Sequence, residues 1–287
     1  MKKHVYRFFC GVVLGLSALA PGFSGSVVAI AMGLYEDLVG ILSNPAKEIK
    51  RNLVFLFPIG VGIVMSAVLF VLGFSMLIET HMKATFLLFT GLMAGSLPMI
   101  VREVRRHPFR KQYGIGWILA FALALAISLA GQGMSVTTGG ESEVGMVLLA
   151  LAGFFVGAIM LVPGMSISAL LIMLGVYGRL VYMAEGLVRL DFSHALPLLA
   201  VLFCALLGLV LMSRGIKTVL ESFPGFANTC ILGFMAGTLL GVFAESLAIY
   251  DADFSWWHGA LALALGLGLS LIFVVIGKNA GTKKSEA

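Results

Sequence analysis

Apolar residues fall along this chain in long blocks, not in alternation with polar ones. Blocks at about 53–78, 84–101, 114–133, 196–213, 226–248 and 256–277 each approach the ~20 residues an α-helix needs to cross a bilayer. A backbone in hydrocarbon must satisfy its own hydrogen bonds, so the pattern predicts helices and six full crossings. Two further apolar stretches are punctuated. Residues 8–20 make only ~20 Å of helix at 1.5 Å per residue. They run into Pro21-Gly22-Phe23-Ser24-Gly25-Ser26, and the apolar run beyond ends at Glu36-Asp37. The same punctuation returns as Pro163-Gly164-Met165-Ser166-Ile167-Ser168. Proline removes a backbone donor and glycine weakens a helix, so each motif predicts a break whose freed N–H groups must be buried in protein or face a polar cavity. Regions of about 8–43 and 144–184 are therefore predicted as re-entrant helical hairpins. Residues 144–162 are long enough that a fully spanning hairpin remains an alternative.

The recurrence extends beyond the motif. At the same offset of 142 residues Gly11 pairs with Gly153, Gly15 with Gly157, Gly33 with Gly175, Tyr35 with Tyr177, and Leu38-Val39 with Leu180-Val181. Gly91, Met93, Ala94 and Gly95 fall on Gly233, Met235, Ala236 and Gly237. This reads as a tandem duplication with repeats of about 1–142 and 143–287. Each repeat holds one hairpin and three crossings. An odd number of crossings inserts the second copy upside down, and fully spanning hairpins would leave that parity unchanged. Inverted repeats are a transporter architecture.

Composition agrees with the pattern: 60% hydrophobic and 11% charged residues, with a mean hydropathy of +1.06, describe an all-α polytopic membrane protein. The 35 glycines suit close helix packing, and Gly11/Gly15 and Gly153/Gly157 are small-xxx-small pairs. The net charge of +5 is distributed unevenly. With both termini cytoplasmic, the predicted inner segments hold Lys2, Lys3, Arg7, Lys47, Lys50, Arg51, Arg102, Arg105, Arg106, Arg110, Lys111, Arg214, Lys217, Lys278, Lys283 and Lys284. That leaves Lys83, Arg179 and Arg189 outside, a distribution obeying the positive-inside rule. The basic loop from Arg102 to Lys111 reads as a topology determinant and a contact for anionic lipid, not a nucleic-acid site.

The basic, then apolar N-terminus resembles a signal peptide, with Ala18-Leu19-Ala20 as the cleavage site. Pro21 would then open the mature chain, and the same segment recurs internally from Gly153, so we read it as part of the fold. Cys10, Cys204 and Cys230 lie in apolar blocks without ligand spacing, and the five histidines are scattered, so no metal site is expected.

The two breaks carry the candidate chemistry. A half-helix N-terminus offers free N–H groups and partial positive charge to an anion, and in inverted-repeat transporters such ends meet near the midplane. Ser24, Ser26, Ser166 and Ser168 add hydroxyl donors, while Gly22, Gly25 and Gly164 allow close backbone approach. The competing reading is that these serines only cap half-helices. Arg179 either attracts phosphate or merely sits near a helix end. Glu36, Asp37 and Glu245 are candidates for ion coupling, since a carboxylate within an apolar segment is costly to keep.

The run from Gly15 to Tyr35, with Pro-Gly-x-Ser-Gly-Ser followed by Gly-Leu-Tyr-Glu, resembles the signature of the bacterial polyprenyl-phosphate transporter family, once known only as a domain of unknown function. Length, duplication and motif order extend the resemblance over nearly the whole chain. It implies a flippase of the bacterial cytoplasmic (inner) membrane that returns undecaprenyl phosphate from the outer to the inner leaflet for reuse in cell-wall glycan synthesis. Ile167 stands where the second motif commonly has Gly, and Gly178 where the first repeat has Glu36. No cofactor is expected beyond a coupling proton or sodium ion, because no P-loop is present. A carrier or channel for a small soluble anion stays open. A lipid phosphatase is the enzyme alternative, but no constellation of nucleophile and acid/base partners is evident.

Overall fold

The computed structural model describes residues 2–20, 28–29, 32–34, 37–38, 41, 48–108, 110–131, 145–160, 162, 165–250 and 254–285. Its helices, in chain order, are α1 (Lys2–Leu19), α2 (Ile49–Arg105), α3 (Lys111–Gly131), α4 (Met146–Ile159), α5 (Ile167–Met173), α6 (Tyr177–Val188), α7 (Ala195–Ser222), α8 (Pro224–Ala248) and α9 (Trp256–Ser285). The fold is all-α. Among the described residues five helical segments are long and apolar enough to span: Ile49–Gly73, Thr80–Arg105, Lys111–Ala130, Ala195–Ser213 and Pro224–Ala248. The sixth predicted crossing falls on α9, whose apolar part is Trp256–Ile272. The first two predicted crossings are the two helical arms of α2, which meet where His81 leaves helical geometry (φ −144°, ψ 52°).

Glycines set the packing. A Cβ on Gly11 would strike the Ile59 carbonyl of α2, and a Cβ on Gly153 of α4 would strike the Val201 carbonyl of α7. Ile59 and Val201 are themselves 142 residues apart, so the same backbone approach is made twice. Gly62 and Gly208 answer from the other side, against the carbonyls of Phe8 and Phe154. Such approach is what small residues permit where helix association relies on van der Waals fit.

The third crossings are exchanged. Gly91 of α2 lies against the Leu263 carbonyl of α9, and Gly233 and Gly237 of α8 lie against the Trp117 and Phe121 carbonyls of α3. Thus α9 packs on α2 and α3 packs on α8, each third helix resting on the second crossing of the other half. The halves interlock through these contacts. The central apolar cluster draws Phe86, Phe89 and Met93 from α2, Ala169 and Ile172 from α5, Tyr177 from α6 and Val242 from α8.

At the edge of the core Lys83 stacks over Phe254 (4.8 Å) and Trp256 (5.0 Å), while Trp256 and Trp257 are exposed. Aromatic rings and a cation together are the composition of a membrane–water boundary.

Candidate functional site

The second motif breaks the chain between α4 and α5. Helix α4 stops at Ile159, and α5 begins at Ile167 with Ser166 as its N-cap in extended geometry (φ −99°, ψ 125°). The Ser166 hydroxyl oxygen accepts from the Ala169 N–H at 3.5 Å and lies 3.1 Å from the Ser168 hydroxyl. Ser168 is buried, so the pair holds two hydroxyls together inside apolar surroundings. Capping is therefore one role Ser166 performs. An accepting cap leaves its O–H proton to donate, either to Ser168 or to a ligand.

A second break follows, which the residue pattern did not mark as one. Helix α5 ends after two turns and α6 leaves it at 115°. Gly175 makes the corner with φ +71°, and the Val176 N–H reaches back to the Leu171 carbonyl at 3.0 Å. This is a Schellman-type closure, whose left-handed residue is usually glycine because a Cβ is disfavoured there. Gly33 repeats it with φ +67° and a Leu34 N–H to Ala29 carbonyl bond of 2.9 Å. Only the shared glycines at 33 and 175 signalled this corner, and glycine is too common in membrane helices to announce a bend by itself.

Beyond the corner, the buried Tyr177 donates its hydroxyl to the Leu19 carbonyl at 3.0 Å and meets Phe89 edge-on at 6.2 Å. Leu19 is the last residue of α1, just before the first motif. One buried hydrogen bond thus ties the second corner to the end of the first half's opening helix. Replacing Tyr177 with Phe leaves that carbonyl short of a partner, and a loss of about 1–3 kcal/mol is expected. The thermal unfolding midpoint of purified protein in detergent measures it, and an unchanged midpoint would refute the tie.

Ser166 and Thr238 of α8 line a cavity of about 20 Å³ together with Met93, Met165 and Phe234. That is room for about one water. Sequence reasoning missed Thr238. Its hydroxyl donates to the Phe234 carbonyl of its own helix (2.9 Å) and approaches the Met173 sulfur (3.5 Å), the usual way a lone threonine is accommodated in an apolar helix. The only available signal was its position in the stripe Thr238, Gly241, Glu245 on one face of α8.

The other candidates distribute as follows. Arg179 lies one turn or less into α6; its Nε is enclosed and meets no acceptor among the described residues. Glu245 is 3% exposed, two turns beyond Thr238 on α8, next to the fully buried Ser246. Neither Arg179 nor Glu245 lines the Ser166 cavity. Asp37 is exposed. Gly22, Ser24, Gly25, Ser26, Glu36 and Gly164 lie outside the described residues. Among the described residues no three His, Cys, Asp or Glu side chains gather as metal ligands.

These features define an all-helical multi-pass membrane protein whose second half carries a twice-broken helix, with a buried and a half-buried hydroxyl at one break and a half-buried arginine after the other. The chain belongs to the VCA0040-like family, described as undecaprenyl phosphate translocase-like, the match running over residues 14–253. It is 28% identical over 242 residues to a polyprenyl-phosphate transporter of Staphylococcus aureus (strain NCTC 8325 / PS 47), covering 81% of this chain and 84% of that protein. It is 26% identical over 251 residues to a polyprenyl-phosphate transporter of Vibrio cholerae (serotype O1, strain ATCC 39315 / El Tor Inaba N16961), covering 83% and 77% respectively. The family and both relatives are named for transport or translocation, not for an enzymatic reaction. No solved structure matches the chain.

Proposed function

We propose that this chain is a secondary transporter, not an enzyme, that moves polyprenyl phosphate, with undecaprenyl phosphate as the principal substrate, from the outer to the inner leaflet of a bacterial cytoplasmic membrane. The observation that carries the reading is the similarity to two polyprenyl-phosphate transporters along more than three-quarters of each chain. The chemistry of the breaks supports it. A lipid phosphate needs donors for its head and an apolar path for its tail, and Ser166, Ser168 and Arg179 supply donors inside an apolar bundle.

The mechanism we infer is alternating access between two inverted repeats of about 1–142 and 143–287, with both termini cytoplasmic. Gly22, Ser24, Gly25 and Ser26 would hold the phosphate from the first break, and Gly164, Ser166 and Ser168 from the second. The cavity at Ser166 is far smaller than a phosphate, so Met165 or Phe234 must move aside for the head to enter. Because α3 rests on α8 and α9 on α2, the rocking bodies would mix helices from both repeats. Glu245, buried on α8, and Glu36 and Asp37 are the groups we assign to coupling by a proton or sodium ion.

Proteoliposomes test the reading directly. Purified protein is expected to speed leaflet exchange of undecaprenyl phosphate, and a Ser24→Ala/Ser166→Ala variant to slow it by roughly tenfold or more, as expected when charge-assisted hydrogen bonds are removed. Uptake of inorganic phosphate without lipid exchange would favour the soluble-anion alternative. Exchange no faster than in empty vesicles, under a proton or sodium gradient of either sign, would sink the lipid reading.

A further inference from the structure

Beside the break, an apolar cavity of about 420 Å³ opens between the adjoining ends of α7 and α8. Its origin is architectural. Helix α7 packs chiefly on α4 and α8 chiefly on α3 and α2, so these two consecutive helices are held apart beyond the short connection at Phe223. Gly215, Ile216 and Val219 form one wall, and Phe226, Cys230 and Phe234 the other, with no polar surface between them. Interiors are normally filled to the density of organic crystals, and a void of this size forfeits contacts on every side. The volume falls within the roughly 300–1,000 Å³ of ordinary ligand sites.

Three observations say what fills it. The cavity opens sideways: Met212 (41% exposed), Val219 (45%) and Phe226 (38%) stand at its walls with surface facing outward, where the bilayer's hydrocarbon lies. It runs to the break, because Met165 and Phe234 line both this cavity and the small one holding Ser166 and Thr238. Its outer rim is polar: the exposed Lys217, 3.7 Å from the Glu221 carboxylate, follows Ile216 on α7, at the end that the distribution of basic residues assigns to the cytoplasm. An occupant must therefore be apolar along its body and able to present a polar head to Ser166 at the break.

Building on the transport reading above, we propose that this cavity is the seat of the isoprenoid chain of the transported lipid on the cytoplasmic-leaflet side, α7 and α8 being the gateposts through which the chain leaves. The chain lies against Cys230 while the phosphate is at the break, and it slides out past Gly215 into the inner leaflet. Gly215 is the mouth: a Cβ built there meets nothing within 4 Å, so a side chain at this position projects into open space without displacing backbone.

Cys230 reports occupancy without any transport measurement. Wild-type protein in nanodiscs is treated with N-ethylmaleimide, and modification of the Cys230 peptide is followed by mass spectrometry. Undecaprenyl phosphate is expected to slow it by roughly tenfold at saturation, whereas inorganic phosphate and a five-carbon isoprenyl phosphate leave it unchanged. Equal protection by phosphatidylglycerol would overturn the proposal and mark the cavity as an acyl-chain site for bulk lipid. A Gly215→Phe variant supplies the second arm: its ring occupies the mouth, its thermal midpoint is expected to match or exceed that of wild type, and its leaflet exchange to fall by a similar factor. Wild-type exchange with an unprotected Cys230 and an unimpaired Gly215→Phe variant would remove the chain site and leave the transport reading standing. No wild-type exchange at all would remove both.

Discussion

Gly157→Ala is expected to destabilise the protein by about 1–3 kcal/mol, the range for forcing atoms into a well-packed contact. A Cβ at this position collides with the Ala205 carbonyl of α7, with the Ala205 carbon at 2.7 Å and the Leu209 nitrogen at 2.8 Å. All three are backbone atoms, so no rotamer change relieves the clash; the two helices must separate. Gly153, one turn earlier, meets Val201 in the same way, and a Gly153→Ala/Gly157→Ala double variant should lose the α4–α7 contact altogether. Gly60→Ala and Gly268→Ala serve as controls of opposite sign. A Cβ at either meets open space, and alanine is the better helix former by about 1 kcal/mol, so these variants should hold or gain stability. Thermal midpoints of the purified variants in one detergent decide the matter. A Gly157→Ala protein as stable as wild type would mean that α4 and α7 do not approach as closely as described.

Replacing Arg179 with Met should separate stability from function. The enclosed Nε has no acceptor among the described residues, and an unsatisfied buried donor costs about 1–3 kcal/mol. Met keeps the length and apolar contacts of the side chain and removes that cost. If Arg179 serves only the fold, the variant should transport normally and be as stable or more so. If it draws the phosphate toward the break, as we propose, exchange of undecaprenyl phosphate should fall by roughly 10- to 100-fold, the equivalent of one lost charge-assisted hydrogen bond of about 1.5–3 kcal/mol, while the midpoint holds or rises. Arg179→Lys should recover part of the activity, because it restores the charge without the planar fork. A variant with a preserved midpoint and wild-type exchange would dismiss Arg179 from the site.

The break between α4 and α5 is legible in the residues alone, because a proline joined to a glycine both removes a donor and weakens the helix, whereas Pro58 and Pro98, without an adjoining glycine, stay inside α2. The corner at Gly175 is far less visible. Glycine there is required by the positive φ, but the same residue type at Gly153 and Gly157 serves helix contact inside continuous helix, and nothing local separates the two uses. Thr238 shows a related limit. A threonine that bonds its own preceding turn reads like any other tolerated hydroxyl until the opposing helix brings Ser166 beside it. Arg179 is noticeable as a charge after an apolar run, yet the want of an acceptor for its Nε among the described residues is a property of what surrounds it.

By itself, the amino-acid sequence determined the membrane-spanning helical class, the positions of the crossings and the doubled motif. These follow from local terms: about 20 apolar residues match a bilayer, and a proline joined to a glycine and followed by serines weakens a helix more than the lone prolines that α2 accommodates. Tertiary structure alone decided that α3 rests on α8 and α9 on α2, that Tyr177 closes onto Leu19, and that α7 and α8 stand apart around an apolar cavity. Lipid and helix surface are equally apolar, so hydrophobicity does not choose partners among these helices. Shape does, and the fit of a glycine groove to a particular carbonyl ridge exists only once both helices are in place.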